Sequence, residues 1–363
     1  MGRKKMLTIA LATLLSVGLI VTVLPSQQAC AKVIKLKFAN YLPAPAGQSK
    51  ICEEFIADFQ ARTGGRVEVS YFPGGSLQSA PAMIKGIESG IVDIGFSHIE
   101  YTPGRFPIME AAELPLGYPT GWVANEIMND FYNKFKPKEF DDFKVMWFHA
   151  NTPSMLMTVK PVRKLEDMKG LTIRAPAILG EVIKALGGTP APTPVMETYD
   201  AIAKGVLQGA FVGGGEAKNL RLGEVCKYIT DTWRVGNSYP FYVVMNKKKY
   251  DSLPSDIKEI FNDLCGEYRE RFALMWNAQD FDGRAFGEAK GVEYIELSPE
   301  ESKRWVKAVQ PIVDDYVKRM VSKGFAESEV RGWITYLQEQ AEYLTKKQLE
   351  LHIKSVTGPP ELR

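Results

Sequence analysis

From Val33 onward, runs with strand character alternate with runs of helical spacing, and this alternation confines the chain to layered α/β architectures. "VIKLKFAN" (33–40) alternates apolar and polar residues and reads as a first strand. "GQSKICEEFIADFQARTGG" (47–65) has apolar residues at helical spacing and stops on Gly64-Gly65. "RVEVSYF" (66–72) is expected as a second strand and "PGGS" as a turn. "SAPAMIKGIESG" is expected as a helix, with "IVDIGFS" and "FKVMWFHA" (143–150) as strands. "EDMKGLTIRAP" holds the next strand, with "LGEVIKALGG" a helix behind it. "METYDAIAKG" reads as a helix, "LQGAFVGG" as a strand, and "FYVVMNKKKYDSLP" as a strand that opens a helical tail. From Asp256 to Gln348 the pattern is that of long amphipathic helices. Such alternation predicts parallel sheets.

One pattern recurs. "MIKGIESGIVDIGF" (83–96) and "AIAKGVLQGAFV" (201–212) each run from a helix through a glycine and two aliphatics into a strand, so Gly90-Ile91-Val92 matches Gly205-Val206-Leu207. The repeat suggests two similarly built lobes that offer strand ends to a shared cleft, where ligands of open α/β sheets bind. Arg174 lies at such an end, as do Ser97 and His98 after the strand 91–96, and Val212 after Ala210-Phe211. In "GLTIRAPAILG", Ile173 and Pro176 frame Arg174. A guanidinium held at a strand tip presents a rigid fork to a carboxylate. A structural ion pair with a buried acid fits the same residues.

The front of the chain sets the compartment. Arg3, Lys4 and Lys5 precede an uncharged apolar run from Met6 to Leu24, and Pro25 breaks it before Ala29-Cys30-Ala31. This is the pattern of a secretory signal peptide cut before Lys32, after Ala31. An uncleaved anchor is opposed by the break and the small-residue site, and lipidation of Cys30 by Gln27 and Gln28 ahead of it. Removing the leader takes three basic residues from the 45, and none of the 43 acidic ones. The remainder is close to neutral and carries no electrostatic footprint for nucleic acid or an anionic membrane. No further apolar stretch is long enough to span a bilayer. Cys52, Cys226 and Cys265 have no pairing or metal-ligand spacing and read as small buried apolar residues. His98, His149 and His352 are far apart, and no zinc, nucleophile-elbow or phosphate-loop motif is present. No cofactor is expected.

Three blocks carry a resemblance. They are "FIADFQARTGGRVEVSYFPGGSLQSAPAMIKGIESGIVDIGFS", "KPVRKLEDMKGLTIRAPAILGEVIKALGGTPAPTPVMETYDAIAKGVLQGA" and "YVVMNKKKYDSLPSDIKEIF". Together they resemble solute-binding proteins of TRAP transporters, the dicarboxylate (DctP) type, over roughly Val33 to Leu344. The resemblance implies an α/β, two-lobed periplasmic binding protein fold with crossing strands, a cleft between the lobes and a long bridging C-terminal helix. It divides the chain into a signal peptide (1–31), a first-lobe segment (32–150), a second-lobe segment (151–238), a return with the bridging helix (239–280), and C-terminal helices (281–363) packing on the second lobe and across both. It implies that Arg174 pairs with a ligand carboxylate, and that the partners are the small and large integral-membrane permease subunits. A monomer is expected.

Several positions depart from the family pattern. Ser154 stands where a second arginine is common, Val212 where asparagine is common, and Val195 where an aromatic precedes the family tyrosine, here Tyr199. The expected cleft therefore has one cationic anchor and more apolar wall, with Met196, Phe211 and Val212 facing Tyr41 and Tyr101 of the first lobe. A monocarboxylate with an apolar or aromatic body suits it better than a dianion. Asn40 and Glu216 are candidate polar contacts beside His98, while His149 and Asn151 are expected near the crossing between lobes or as solvated loop residues. A ligand-sensing module that contacts a membrane receptor, or a secreted enzyme, are the alternative functions.

Overall fold

The computed structural model describes residues 32–363. The leader and its cleavage site lie outside them. Eleven strands, numbered along the chain, form two sheets. The first sheet holds β1 (Ile34–Asn40), β2 (Val67–Phe72), β3 (Ile94–His98), β4 (Phe143–Ala150) and β10 (Pro240–Asn246), in the order β2-β1-β3-β10-β4. The second holds β5 (Met155–Thr158), β6 (Thr172–Arg174), β7 (Thr189–Ala191), β8 (Gly209–Val212), β9 (Tyr228–Asp231) and β11 (Glu293–Glu296), in the order β11-β9-β5-β8-β6-β7. Helices relevant to the cleft are α1 (Gly47–Arg62), α2 (Met83–Glu88), α3 (Gly121–Phe135), α4 (Ala177–Ala185), α5 (Thr198–Ala203) and α6 (Glu216–Asn219). They are followed by α7 (Leu222–Val225), α8 (Lys247–Asp251), α9 (Ser255–Ala289), α10 (Pro299–Ser322) and α11 (Glu327–Glu350).

The sheets are mixed, which corrects the expectation of parallel sheets. β1 runs parallel to β2 and β3, but β10 is antiparallel to both β3 and β4. In the second sheet β5 is antiparallel to β8 and β9. The cause is the chain's route. β4 passes straight into β5 through residues 151–154, and β9 into β10 through residues 232–239. A strand that arrives directly from the other lobe has no crossover helix to reset its direction, as a parallel βαβ unit does. α9 makes a third link, at 35 residues about 52 Å long for 1.5 Å per residue.

The two repeated segments fold alike. Gly90 follows α2 with φ 74, Gly205 follows α5 with φ 73, and each leads into a strand that runs parallel to an earlier one, β3 beside β1 and β8 beside β6. The left-handed conformation after the last helical turn needs glycine, because a Cβ would clash there. Tight packing of α9 on the second lobe has a similar origin. A Cβ on Gly283 would sit 2.3 Å from the Gly214 carbonyl oxygen, so the glycine lets the loop before α6 lie flush on the helix.

Polar side chains finish what the sheets leave open. β4 ends the first sheet, and α3 covers its free edge with two asparagines one turn apart. Asn125 Oδ1 accepts from the Ala150 N–H at 3.1 Å and Nδ2 donates to the Ala150 carbonyl at 2.8 Å. Asn129 repeats this at Phe148, at 2.9 and 2.7 Å. The chain end closes over the same region. Thr357 donates to the Pro119 carbonyl just before α3, and Arg363 pairs with Asp231 of β9 and Glu296 of β11. Cys52, Cys226 and Cys265 are all free and buried.

Candidate ligand-binding cleft

β6 is only three residues long and lies between β7 and β8. Pairing ends at Arg174 because the chain must turn. Ala175 N–H donates to the Ala191 carbonyl at 2.9 Å, Pro176 follows, and Ala177 opens α4 with φ 45. A non-glycine residue in the left-handed region costs energy and survives where the surroundings enforce it. The turn leaves the guanidinium at the strand tip, 7% exposed. Its Nε donates to the Thr193 carbonyl at 3.1 Å, which fixes the plane of the group. Among the described residues the two terminal nitrogens have neither a hydrogen-bond acceptor nor an ion-pair partner.

Across from it, the first lobe presents an aromatic wall. His98 at the end of β3 lies 3.9 Å from the Tyr101 ring, 5.2 Å from Tyr239 and 5.1 Å from Phe241, centroid to centroid. Tyr41, just past β1, packs edge-on to Tyr101 at 5.5 Å. Burial lowers the His98 imidazole to about 3, helped by the charge of Arg174, so this histidine is neutral and its Nδ1 is buried without a partner. The Arg174 charge is felt by His98, Tyr101 and Tyr239, so the tip of β6 faces this wall.

Two carboxyl groups feel the Arg174 charge. Glu100 follows β3, and its Oε1 is buried without a partner. Burial pushes it up to about 7 against the pull of Arg174. Glu216 opens α6 beside the glycine loop, and burial likewise pushes it to about 7, opposed by Arg174. Its charge also reaches Tyr41 on the other lobe. Neither carboxylate forms an ion pair with Arg174, so the paired-acid alternative for that arginine does not describe this site.

The structure distributes the other expected residues differently. Asn40 is fully buried, its Nδ2 donating to Ser49 Oγ and Tyr71 and its Oδ1 accepting from Leu42 N–H. These bonds hold the turn after β1 and occupy both amide hydrogens. Ser154 Oγ donates to the Asn237 carbonyl at 3.1 Å and stitches the two crossings together. Val212 packs into the second-lobe core with Met155 and Ala217, and Phe211 is fully buried in the larger core. Met196 stands 72% exposed on the surface. Side chains alternate along β8 and both faces of that strand are covered, so Phe211 and Val212 lie in the core. His149 is no solvated loop residue: it stacks between Phe241 and Phe272 and accepts from Trp276 Nε1 at 3.0 Å. Asn151, also buried, accepts from Tyr239 N–H at 2.9 Å.

Glu100 and Tyr239 were not legible as site residues. Tyr239 precedes a strand and does not follow one; it lies beside the end of β3 because β10 runs antiparallel, Phe241 facing His98. Two surface hollows, one lined by Asp231–Val235 with the chain end and one by Pro115–Gly117 with α10, contain none of these groups.

Comparison with known proteins gives this geometry a context. Residues 38–319 match the DctP family, described as bacterial extracellular solute-binding protein, family 7. A TRAP periplasmic solute binding protein from Desulfovibrio salexigens is 34% identical, with 85% of this chain and 95% of that one covered and a TM-score of 0.79. A TRAP solute binding protein from Rhodoferax ferrireducens, in complex with copurified benzoate, is similar in fold at 22% identity, with 87% and 99% covered and a TM-score of 0.77. The C4-dicarboxylate-binding periplasmic protein DctP of Rhodobacter capsulatus is 23% identical over 324 residues, 87% of this chain and 94% of that protein. With a match over most of its length and the same two-lobed fold, the chain belongs to the DctP family of TRAP-transporter solute-binding proteins.

Proposed function

We propose that this protein captures a small organic acid between its lobes, with Arg174 as the carboxylate anchor, and delivers it to integral-membrane TRAP permease subunits. The observation that carries the reading is a guanidinium buried to 7% exposure whose terminal nitrogens lack any partner among the described residues. A buried charge left unpaired is costly. A ligand carboxylate removes that cost with two parallel charge-assisted bonds. The wall of Tyr41, His98, Tyr101 and Tyr239 supports an acid with an aromatic or apolar body, whose flat face these rings can meet edge-on or stacked. The benzoate held by the Rhodoferax protein is of that class. The role is binding, with no conversion of the acid; turnover of a bound acid by the purified protein would overturn that part.

The test is calorimetry and apo melting on the same variants. Removing one partner of a buried charge pair costs roughly 2–5 kcal/mol, so Arg174→Ala is expected to weaken binding of benzoate, or of whichever acid copurifies, by about 30-fold to several thousand-fold. Arg174→Lys restores only part, since an ammonium is a point charge and not a fork. Apo stability is expected to change little. A variant that melts far earlier yet binds as tightly per folded molecule would retire Arg174 as the anchor.

A further inference from the structure

We propose, on the reading above that the protein delivers its acid to a permease, that the hollow between α10, residues 115–117 and Trp233-Arg234 is a docking surface for that permease. Its occupant is an apolar segment of a permease subunit carrying a carboxylate for Arg234, and it docks when the lobes are closed.

The hollow measures about 230 Å³. Val306, Val309 and Val313 of α10, Leu116 ahead of α3, and Trp233 of the second crossing make it largely apolar. Val306 remains 40% exposed there. Of the ten residues that line it, Arg234 alone carries a charge. Its guanidinium lies 4.2 Å over the Trp233 ring, and among the described residues it has no acid partner. The acids nearby are engaged elsewhere. Asp231 and Glu296, in the adjoining hollow on the far side of Trp233, are both held by Arg363. Asp314 on α10 faces Arg331 at 3.8 Å. Exposed Lys307 on α10 and Glu342, one turn beyond Gln338 on α11, offset each other. The floor is therefore apolar with one unanswered positive charge. Tryptophan and arginine are also the residues that most often carry the binding energy of protein interfaces.

Its position ties the hollow to the state of the lobes. α10 is held to the second lobe at its start, where Arg304 pairs with Glu166 at 2.5 Å. Near its end it is held to the first lobe, where Tyr316 donates to the Pro107 carbonyl at 2.9 Å. Val306 to Val313 lie between those anchors. Gly117 of the first lobe, at φ 79, lies flush on the second crossing, since a Cβ there would sit 3.2 Å from the Arg234 carbonyl oxygen. Hinge closure bends the links between lobes, and so moves Trp233 and Arg234 relative to α10. A permease has to tell a loaded protein from an empty one, and a surface built across the hinge carries that difference. A second copy of this chain is a poorer occupant. A two-fold contact centred on the hollow pairs the same patch with itself and sets Arg234 against Arg234.

Two readouts test this in cells that express the protein with its own permease subunits. A photo-crosslinking residue placed at Gln310, exposed in the hollow, is expected to capture an integral-membrane permease subunit identified by mass. The yield is expected to rise when the copurifying acid is saturating. Arg234→Glu in the same chain is expected to cut both that yield and uptake of the acid at least about tenfold, with affinity for the acid within about twofold of the unaltered protein by calorimetry. Arg234→Lys keeps most of the uptake, and Val306→Asp reproduces its loss without touching the crossing. Capture of a second copy in place of a permease subunit, or full uptake by both Arg234→Glu and Val306→Asp, overturns docking at this hollow and leaves delivery standing. A yield indifferent to the acid overturns the tie to lobe closure. Absence of uptake with the unaltered protein overturns delivery, and this surface with it.

Discussion

Asp280 lies in the last third of α9, 2% exposed, where its Oδ1 accepts from Thr152 Oγ1 at 2.9 Å and from Gly215 N–H at 2.8 Å. It thus joins the first crossing to the loop that presents Glu216. Burial pushes its carboxyl from 3.8 up to about 7, opposed by those two hydrogen bonds and raised further by Glu216 and Asp231. An acid whose native pKa is raised binds more protons folded than unfolded across that interval, so its contribution is present at low pH and lost as pH rises from about 4 to about 7. Glu100 and Glu216 act in the same direction, while His98 and His149, kept neutral by burial, oppose it below about 6.5. The contribution of Asp280 is therefore read as a difference. Asp280→Asn keeps the acceptor oxygen and removes the titration. Relative to the wild type it is expected to gain stability steadily between pH 5 and pH 7.5 in urea unfolding, by roughly 1 kcal/mol or more. A difference that stays flat with pH would mean Asp280 titrates normally.

At the scale of elements, β4 depends on α3. A sheet edge with bare N–H and C=O groups invites pairing with another chain, and here Asn125 and Asn129 occupy that edge. Asn129→Ala strips two bonds from Phe148 and leaves a buried N–H and C=O unpaired. At about 1–3 kcal/mol for each group, a loss of about 2–4 kcal/mol is expected in denaturant unfolding, with faster amide exchange at Phe148. A loss under about 0.5 kcal/mol would show that water fills the gap. α3 was not among the elements expected from the sequence. Asn125, Glu126, Asn129, Asp130, Asn133 and Lys134 recur at helical spacing, so the period is present in the sequence; what the sequence does not show is that every residue from Gly121 to Asn129 is buried. β11 was missed for another reason. Only Ile295 of its four residues is fully buried, and a segment so short carries no period against the long helices around it. The strands β1, β2 and β4, which do alternate or run apolar between turn residues, fall within one residue of their expected bounds.

For the whole molecule, three links join the lobes: residues 151–154, residues 232–239 and α9 running into β11. Motion about such links closes binding proteins on their ligands. Arg174 is largely buried although the wall it faces belongs to the other lobe, so a bound acid would bridge the two. Small-angle scattering is expected to give a smaller radius of gyration with a saturating acid than without. Tight binding with superimposable profiles would mean the free protein is already closed. Export is checked separately. The family is periplasmic, and cleavage after Ala31 predicts a secreted chain that starts at Lys32 by intact mass; a lipidated Cys30 or a retained leader would contradict it.

The sequence alone determined the layered α/β class, the repeated helix–glycine–strand unit and the position of Arg174 at a strand tip. Each of these is local: a hydrophobic period, a glycine that must take positive φ at Gly90 and Gly205, a proline two residues after the arginine. Tertiary structure alone decided the sheet directions and the lining of the cleft. Tyr239 enters the site because β10 comes back antiparallel, and Glu100 because the turn after β3 faces the tip of β6 in the other lobe. Asn40, Ser154 and Val212 are held by neighbours far along the chain, Tyr71, Asn237 and Met155. A side chain's chemistry can be read in sequence, but which partner satisfies it depends on contacts between residues tens to hundreds of positions apart, and only the folded chain brings those together.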